Sequence, residues 1–320
     1  MKKSLKRRAI DLFKAMRNSR QGKHLLFDTA TLTDRGMVRE NNEDSSFVLE
    51  TTLPTASGKA SLGIYLVADG MGGHQAGEVA SKMAVQIISA TLLENLRESR
   101  GLLSPSLSVK QAIEKANVEI HARACSNPQL VSMGTTITLG LRIDDRLYLG
   151  HVGDSRAYLI RGGRIKQLTA DHSVVAQLLK AGMITPEETE THPDRGKIIR
   201  CLGTSAQVAI DTYNQSGNKD KLILQADDSL VFCTDGLTGH VTDDEILECV
   251  QKGNANSICQ NLVRIANHRG GEDNISLIVV KMQLATSKDI QSKNQEIPDK
   301  FEKLSISKDK PTKVSTLLVL

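Results

Sequence analysis

Apolar and polar positions divide the chain into strand-like and helix-like stretches. Phe27–Thr33 (FDTATLT) alternates and is rich in Thr, which predicts a strand. Ser46–Glu50 predicts a second, followed by a Thr/Pro/Gly loop over 51–59. Leu62–Ala68 is continuously apolar, the pattern of a strand buried on both faces, and it runs into Asp69. Gly70, Gly72, Gly73 and Gly77 follow, with His74 among them; glycines permit positive φ and close backbone approach. The period then becomes helical. Residues 77–97 predict one long amphipathic helix and 108–124 another, with Val109, Ala112, Ile113, Ala116 and Ile120 on a common face. Three strands are predicted close together, at Thr135–Ile143, Arg146–Val152 and Arg156–Arg161. Asp144-Asp145, Gly153-Asp154-Ser155 and Gly162-Gly163 read as hairpin-type turns between them, hence antiparallel pairing. A short helix is expected at His172–Gly182, and another opens at Thr185-Pro186 with Thr185 as its cap. Residues 191–205 read as a polar, mobile flap. Ser229–Thr234 predicts a buried strand ending at Asp235-Gly236; 242–251 and 254–268 are helical, and Ile275–Met282 is the last strand.

This order lacks the βαβ alternation of a parallel sheet. It predicts an α+β fold, antiparallel sheet packed with helices, in one domain of about 260 residues. Three segments are expected: a basic extension (1–23), the domain (24–283) and a flexible polar tail (284–320), where Lys, Ser, Asp and Gln take over and apolar periodicity fades. In the extension Asp11 is the only acid, and Leu5, Ala9, Leu12, Phe13 and Met16 share a helical face. A solvated basic helix is the preferred reading; a peripheral contact with an anionic surface, the inner face of a membrane, is the alternative.

Composition narrows the class. The net charge of +4 is too mild to imply nucleic acid, and no run approaches the roughly 20 apolar residues that span a bilayer. No continuous apolar core follows the basic leader, which argues against a secretory signal. The five cysteines form no CxxC pair, and a cytoplasmic protein with reduced thiols is expected. With no Trp, the core must be aliphatic.

The candidate chemistry lies in acids at strand ends. Asp69 and Asp235 each end an apolar strand and precede Gly; Glu43 and Asp44 lie in the loop after the first strand; Asp154 sits in a turn; Asp273 precedes the last strand. Singly, each reads as an ordinary turn acid. Together, with no Lys or Arg beside most of them, they would repel unless they share a cation, and an oxygen-only set suits Mg²⁺ or Mn²⁺. Arg39, four residues before Glu43, could hold a phosphate by its planar fork or simply pair with Glu40 or Glu43. There is no GxxxxGK loop, no GxSxG elbow and no cysteine-phosphatase spacing of Cys to Arg.

The blocks TDRGMVRENNEDS, VADGMGGHQAGEVAS, MGTT, LYLGHVGDSRAYLIRGGRIKQLTADHS, LVFCTDGL and GGEDNISLIV, in this order between Phe27 and Met282, resemble the bacterial type 2C metal-dependent serine/threonine protein phosphatases. The resemblance implies two antiparallel sheets sandwiched between helices, a four-layer αββα fold. It also implies two Mn²⁺ or Mg²⁺ ions, with a weaker third. Asp69 would bridge the two, the Gly70 carbonyl would bind one, and Asp235 and Asp273 would hold the other. Glu43 or Asp44 would complete the shell, and Asp154 would serve the third ion. Arg39 would bind phosphate, Asn274 would support Asp273, and residues 174–205 would form the flap. His74 is a candidate general acid or a loop-ordering group, and His172 reads as structural. The implied reaction is hydrolysis of phosphoserine and phosphothreonine in proteins by a metal-bridged hydroxide attacking phosphorus directly, with no covalent phosphoenzyme. Phosphoproteins made by a Ser/Thr kinase are the implied partners, and a monomer is expected. Rival readings are a non-catalytic phosphoprotein-binding relative, which would have lost metal acids, and a metal-dependent phosphodiesterase, for which only the basic leader speaks.

Overall fold

The computed structural model describes residues 25–55, 58–72, 76–98, 104–212 and 221–285. The basic extension with its predicted helix, His74 and residues 286–320 of the predicted tail lie outside them, while Leu284, the tail's predicted first residue, ends the last strand.

The strands are β1 (Leu25–Asp34), β2 (Ser45–Thr55), β3 (Gly58–Ala68), β4 (Gly70–Met71), β5 (Gly134–Thr135), β6 (Ile137–Ile143), β7 (Arg146–Val152), β8 (Arg156–Arg161), β9 (Arg164–Gln167), β10 (Asp211–Thr212), β11 (Leu222–Ile223), β12 (Ser229–Cys233) and β13 (Ile275–Leu284). The helices are α1 (Ala76–Glu98), α2 (Pro105–Ser126), α3 (Val174–Lys180), α4 (Pro186–Thr191), α5 (Asp235–Thr238), α6 (Asp243–Gln251) and α7 (Ala255–His268). One sheet has the order β1-β13-β12-β8-β9 and the other β10-β7-β6-β3-β2, with β11 also on β7. All pairings are antiparallel.

Alternation along β3 shows how the layers are built. Leu62, Ile64, Leu66 and Ala68 point to one face, where they pack with Ala80, Ala84 and Ile88 of α1 and Val109 and Ile113 of α2. Tyr65 and Val67 point to the other, into a core shared with Leu159, Leu230, Phe232, Ile278 and Val280 of the opposite sheet. The Tyr65 and Phe232 rings stack with centroids 5.7 Å apart. The outer face of that second sheet is covered by Ile246, Ile258 and Leu262 of α6 and α7. Helices, sheet, sheet and helices form the four layers the resemblance implies, and the continuous apolar run of β3 follows from burial on both sides.

Four details differ from the sequence reading. Gly153-Asp154-Ser155 is not a hairpin turn: β7 and β8 belong to different sheets, and the turn carries the chain from one to the other. Gly153 there has φ +118°, and a Cβ would lie 2.5 Å from Thr136. The 51–59 segment is largely strand, since β2 and β3 pair as far as Thr55 and Gly58. After Gly162-Gly163 the chain returns as β9, a strand whose single apolar residue, Ile165, gave little signal. The end of the predicted flap is seated rather than free: Leu202 is fully buried and exchanges backbone hydrogen bonds with Thr135. Thr185 does cap α4, in a reciprocal capping box with Glu188.

Candidate active site

A cleft of about 520 Å³ opens at one end of the two sheets. Its walls include Arg39, Glu43, Asp69, Gly70, Asp235, Asp273 and Asn274, with Gly196 and Ile198 of the flap segment. Asp69 follows β3 directly, Asp235 opens α5 after β12, and Asp273 precedes β13, so three strand ends aim carboxylates at one space.

The backbone beneath them is tightly fixed. The Asp69 carbonyl accepts from the Thr136 N–H (2.9 Å) and the Thr135 hydroxyl (2.8 Å), while the Asp69 N–H donates to Thr136 Oγ1 at 2.9 Å. A Cβ on Gly70 would sit 2.2 Å from the Gly77 carbonyl and 2.4 Å from that of Glu43, so only glycine fits. Asn274 joins both sides of the site. Its backbone N–H donates to Asp273 Oδ1 (2.8 Å), and its side-chain Oδ1 accepts from the Glu43 N–H (2.7 Å). Its Nδ2 donates to the Arg35 and Asn41 carbonyls, both at 2.9 Å. Asn274 thus orders the whole 35–43 loop as well as Asp273. Arg39 is half-exposed and donates to Asp273 Oδ2 at 2.7 Å and to the Glu272 carbonyl at 3.3 Å.

Asp44 and Asp154 are buried beside the cleft rather than in its walls. Asp44 Oδ2 accepts from the Thr234 hydroxyl at 2.8 Å. Burial, followed by the charges of Asp235 and Asp273 and opposed by hydroxyl hydrogen bonds, pushes the Asp44 carboxyl up to about 7. Burial and then the Asp235 charge push Asp154 up to about 8. Asp69 is raised well above the usual carboxylate range by burial and by Asp235 and Asp44; Asp235 is raised chiefly by burial. Glu43 is raised by partial burial, with Arg39 acting against it.

These groups fit divalent ions. Asp154 Oδ1 and Asp235 Oδ1 are buried with no hydrogen-bond partner, and one ion pair, Arg39 to Asp273, faces this whole group of carboxylates. Among the described residues no three His, Cys, Asp or Glu are grouped so as to hold one ion by themselves. Mg²⁺ and Mn²⁺ do not require one: they take one or two carboxylates, a carbonyl and several waters. The threonines at 135, 136 and 234 were not predicted as supports, although the first two lie in the MGTT block. His172 behaves as a structural group. Its Nδ1 accepts from the Gly153 N–H at 3.0 Å, and its Nε2 lies 3.1 Å from Asp211 and 3.0 Å from Arg200.

Comparison with known proteins agrees with this geometry. The profile of the family Protein phosphatase 2C matches residues 31–178. The serine/threonine phosphatase stp of Listeria monocytogenes is 36% identical over 256 residues, 79% of this chain and 94% of that protein. The crystal structure of the Mycobacterium tuberculosis serine/threonine phosphatase PstP/Ppp superposes with a TM-score of 0.69 at 35% identity, covering 80% of this chain and 99% of that one. A structure of the PstP catalytic domain in complex with two manganese ions gives a TM-score of 0.66 at 32% identity, covering 81% and 99%. With this extent and identity, and the carboxylate cleft in the same fold, the chain belongs to the protein phosphatase 2C family.

Proposed function

We propose that this chain hydrolyses phosphoserine and phosphothreonine in proteins, as a metal-dependent phosphatase. The observation that carries the reading is the convergence of Asp69, Asp235 and Asp273 from three strand ends on a cleft edged by Arg39, with Asp44 and Asp154 buried beside it and Asp154 Oδ1 and Asp235 Oδ1 left without a partner. Asp69, Asp235, Asp273 and the Gly70 carbonyl would hold the ions, with Glu43 facing the cleft and Asp44 beneath it, and Asp154 would serve a third. When bound, Mn²⁺ or Mg²⁺ supplies an acidified water and neutralises phosphoryl charge.

The chain's own residues then position the reactants. Asn274 and the Thr135–Thr136 pair keep Asp273 and Asp69 in fixed geometry, so little reorganisation accompanies reaction. Arg39 would take the phosphoryl oxygens through the N–H groups its two protein hydrogen bonds leave over. No cysteine lines the cleft, in keeping with direct transfer to water. His74 stays a candidate proton donor to the leaving alkoxide. The catalytic unit is inferred to span 24–283, and its substrates to be products of a Ser/Thr kinase. No helix among the described residues is long and apolar enough to cross a membrane.

The test is phosphate release from a phosphothreonine peptide and from a phosphodiester, each with Mn²⁺ and with chelator. Release from the monoester only, and only with metal, is expected. Metal-independent release, or preference for the diester, would overturn the proposal.

A further inference from the structure

The β1–β2 loop carries a feature the reaction itself does not use. Met37 and Val38 are 67% and 65% exposed, though both are large and apolar, and they stand immediately before Arg39. A floppy loop would make such exposure unremarkable. This loop is pinned to the segment that bears Asp273. Gly36 has φ +76°, and a Cβ there would lie 2.2 Å from the Asp273 carbonyl and 2.6 Å from that of Gly271. The Met37 N–H donates to the Gly271 carbonyl at 2.8 Å. A side chain at position 271 would strike Met37 Cγ at 2.9 Å, so Met37 lies directly over Gly271. The backbone at Gly36 and Met37 is therefore fixed against the segment that bears Asp273, so the ordering at Met37, beside Val38 and Arg39, is in place before anything binds.

A phosphorylated residue that enters the cleft must leave its neighbours in sequence at the rim. On the Arg39 side, Met37 and Val38 are the two residues that precede Arg39 in the chain; both are exposed and lie outside the cleft lining itself. On the flap side, Gly196 and Ile198 line the cleft.

We infer that Met37 and Val38 form an apolar shelf that receives a large apolar side chain immediately beside the phosphorylated residue of a polypeptide substrate. The inference rests on the phosphatase reading and adds a substrate preference to it. The shelf adjoins Arg39 in the chain, and its occupant belongs to the same peptide that presents the phosphate.

The experiment compares phosphothreonine peptides carrying Leu or Gly at the residue before, and separately after, the phosphothreonine. They are assayed with Mn²⁺ on the wild-type chain and on a Met37→Ser/Val38→Ser double variant. At one of the two positions Leu is expected to raise wild-type kcat/KM roughly tenfold over Gly, the scale of apolar-pocket discrimination, and this ratio should fall towards one in the variant. Equal rates on Leu and Gly peptides at both positions, or a ratio that survives in the variant, would overturn the shelf while leaving the phosphatase reading intact. No release from any peptide by the wild type would instead overturn the phosphatase reading. An aryl phosphate, which has no flanking residues, is assayed in the same samples: a parallel loss on it and on the peptides points to a damaged reacting site and overturns the shelf. Sedimentation of both proteins covers the remaining occupant, since self-association lost in the variant with an unchanged peptide ratio would assign the surface to a second copy.

Discussion

Two sets of buried or half-buried acids sit in this molecule under similar burial and opposite electrostatic terms. Asp228 is almost fully buried, yet Arg161 grips it with both arms, Nε to Oδ1 at 2.7 Å and Nη2 to Oδ2 at 2.6 Å. Asp171 receives Arg156 Nη2 at 2.7 Å and Nε at 3.0 Å, and Glu50 receives Arg142 and the Tyr65 hydroxyl. Asp44, Asp69, Asp154 and Asp235 have no such partner. Arg156 stands only two residues from Asp154 but gives its guanidinium to Asp171 and the Tyr158 hydroxyl. Burial alone therefore does not mark a functional acid in this fold. The mark is burial without a cation in the chain, which leaves the charge to be balanced from outside.

Removing one acid from each set should have opposite consequences, and this gives the largest effect. Asp69→Asn is expected to lower kcat/KM by at least ~10³-fold, because a carboxylate that would hold the ions is lost. The metal-free thermal midpoint should not fall, because a repelling charge goes with it. Mn²⁺, which raises the wild-type midpoint by binding the native state, should raise that of the variant far less. A variant of near wild-type activity would break the comparison. Asp228→Asn should do the reverse. It leaves Arg161 without its bidentate partner and is expected to cost about 3 kcal/mol in a denaturant titration, with activity kept below the new midpoint. A stability loss in Asp69→Asn as large as in Asp228→Asn would show that the first set is structural too.

The pH dependence of the metal-free protein sharpens the same contrast. Asp44 and Asp154 have folded-state pKa values of about 7 and about 8, above their ordinary 3.8. The folded protein therefore binds more protons than the unfolded chain across this window, so stability must fall as pH rises. A loss of roughly 2 kcal/mol between about pH 6.5 and 8.5 is expected in buffer with chelator. His151, pushed down to about 4 by burial and by His172, and His172, lowered mainly by burial, act in the opposite sense. They do so chiefly below about pH 6.5, where an unfolded imidazole takes up its proton. Saturating Mn²⁺ should flatten the slope, since it favours the ionised carboxylates. A flat profile without metal would mean that the acids are not electrostatically crowded.

Strand ends were readable wherever burial is one-dimensional. The apolar run into Asp69 and the Leu230–Cys233 run into Asp235 locate two of the acids that line the cleft, because a strand buried on both faces has nothing polar until it leaves the core. What the chain does next was not readable. Gly153-Asp154-Ser155 has the composition of a hairpin turn, but it changes sheets, a choice made by the packing of Gly153 against Thr136 and the clasp of His172. The supporting threonines were equally silent, since a buried hydroxyl bonded to backbone leaves no period in the sequence. Arg142 is fully buried near the end of β6, with its guanidinium 3.5 Å above the Phe27 ring, and nothing in ITLGLRI announces that it would be inside. The convergence of the acids came from the family resemblance, because residues up to 230 positions apart carry no spacing signal.

Arg39 is where the two sets meet, and it supplies the smallest effect. It is the cation that touches the otherwise unpartnered acids, through Asp273, and its side chain is 54% exposed against 38% for the Asp273 side chain. An exposed pair of this kind contributes little to stability, so its place at the cleft edge points to substrate rather than folding. Arg39→Lys keeps the charge but loses the planar fork that matches a phosphate. It should raise KM for a phosphopeptide about tenfold, leave the unfolding midpoint unchanged, and affect kcat less than KM. An equal fall in kcat and kcat/KM would instead assign the guanidinium to the transition state alone. A fall in the unfolding midpoint would place Arg39 with the Arg161–Asp228 class, as a structural partner of Asp273, and the line between the two sets of acids would have to be redrawn.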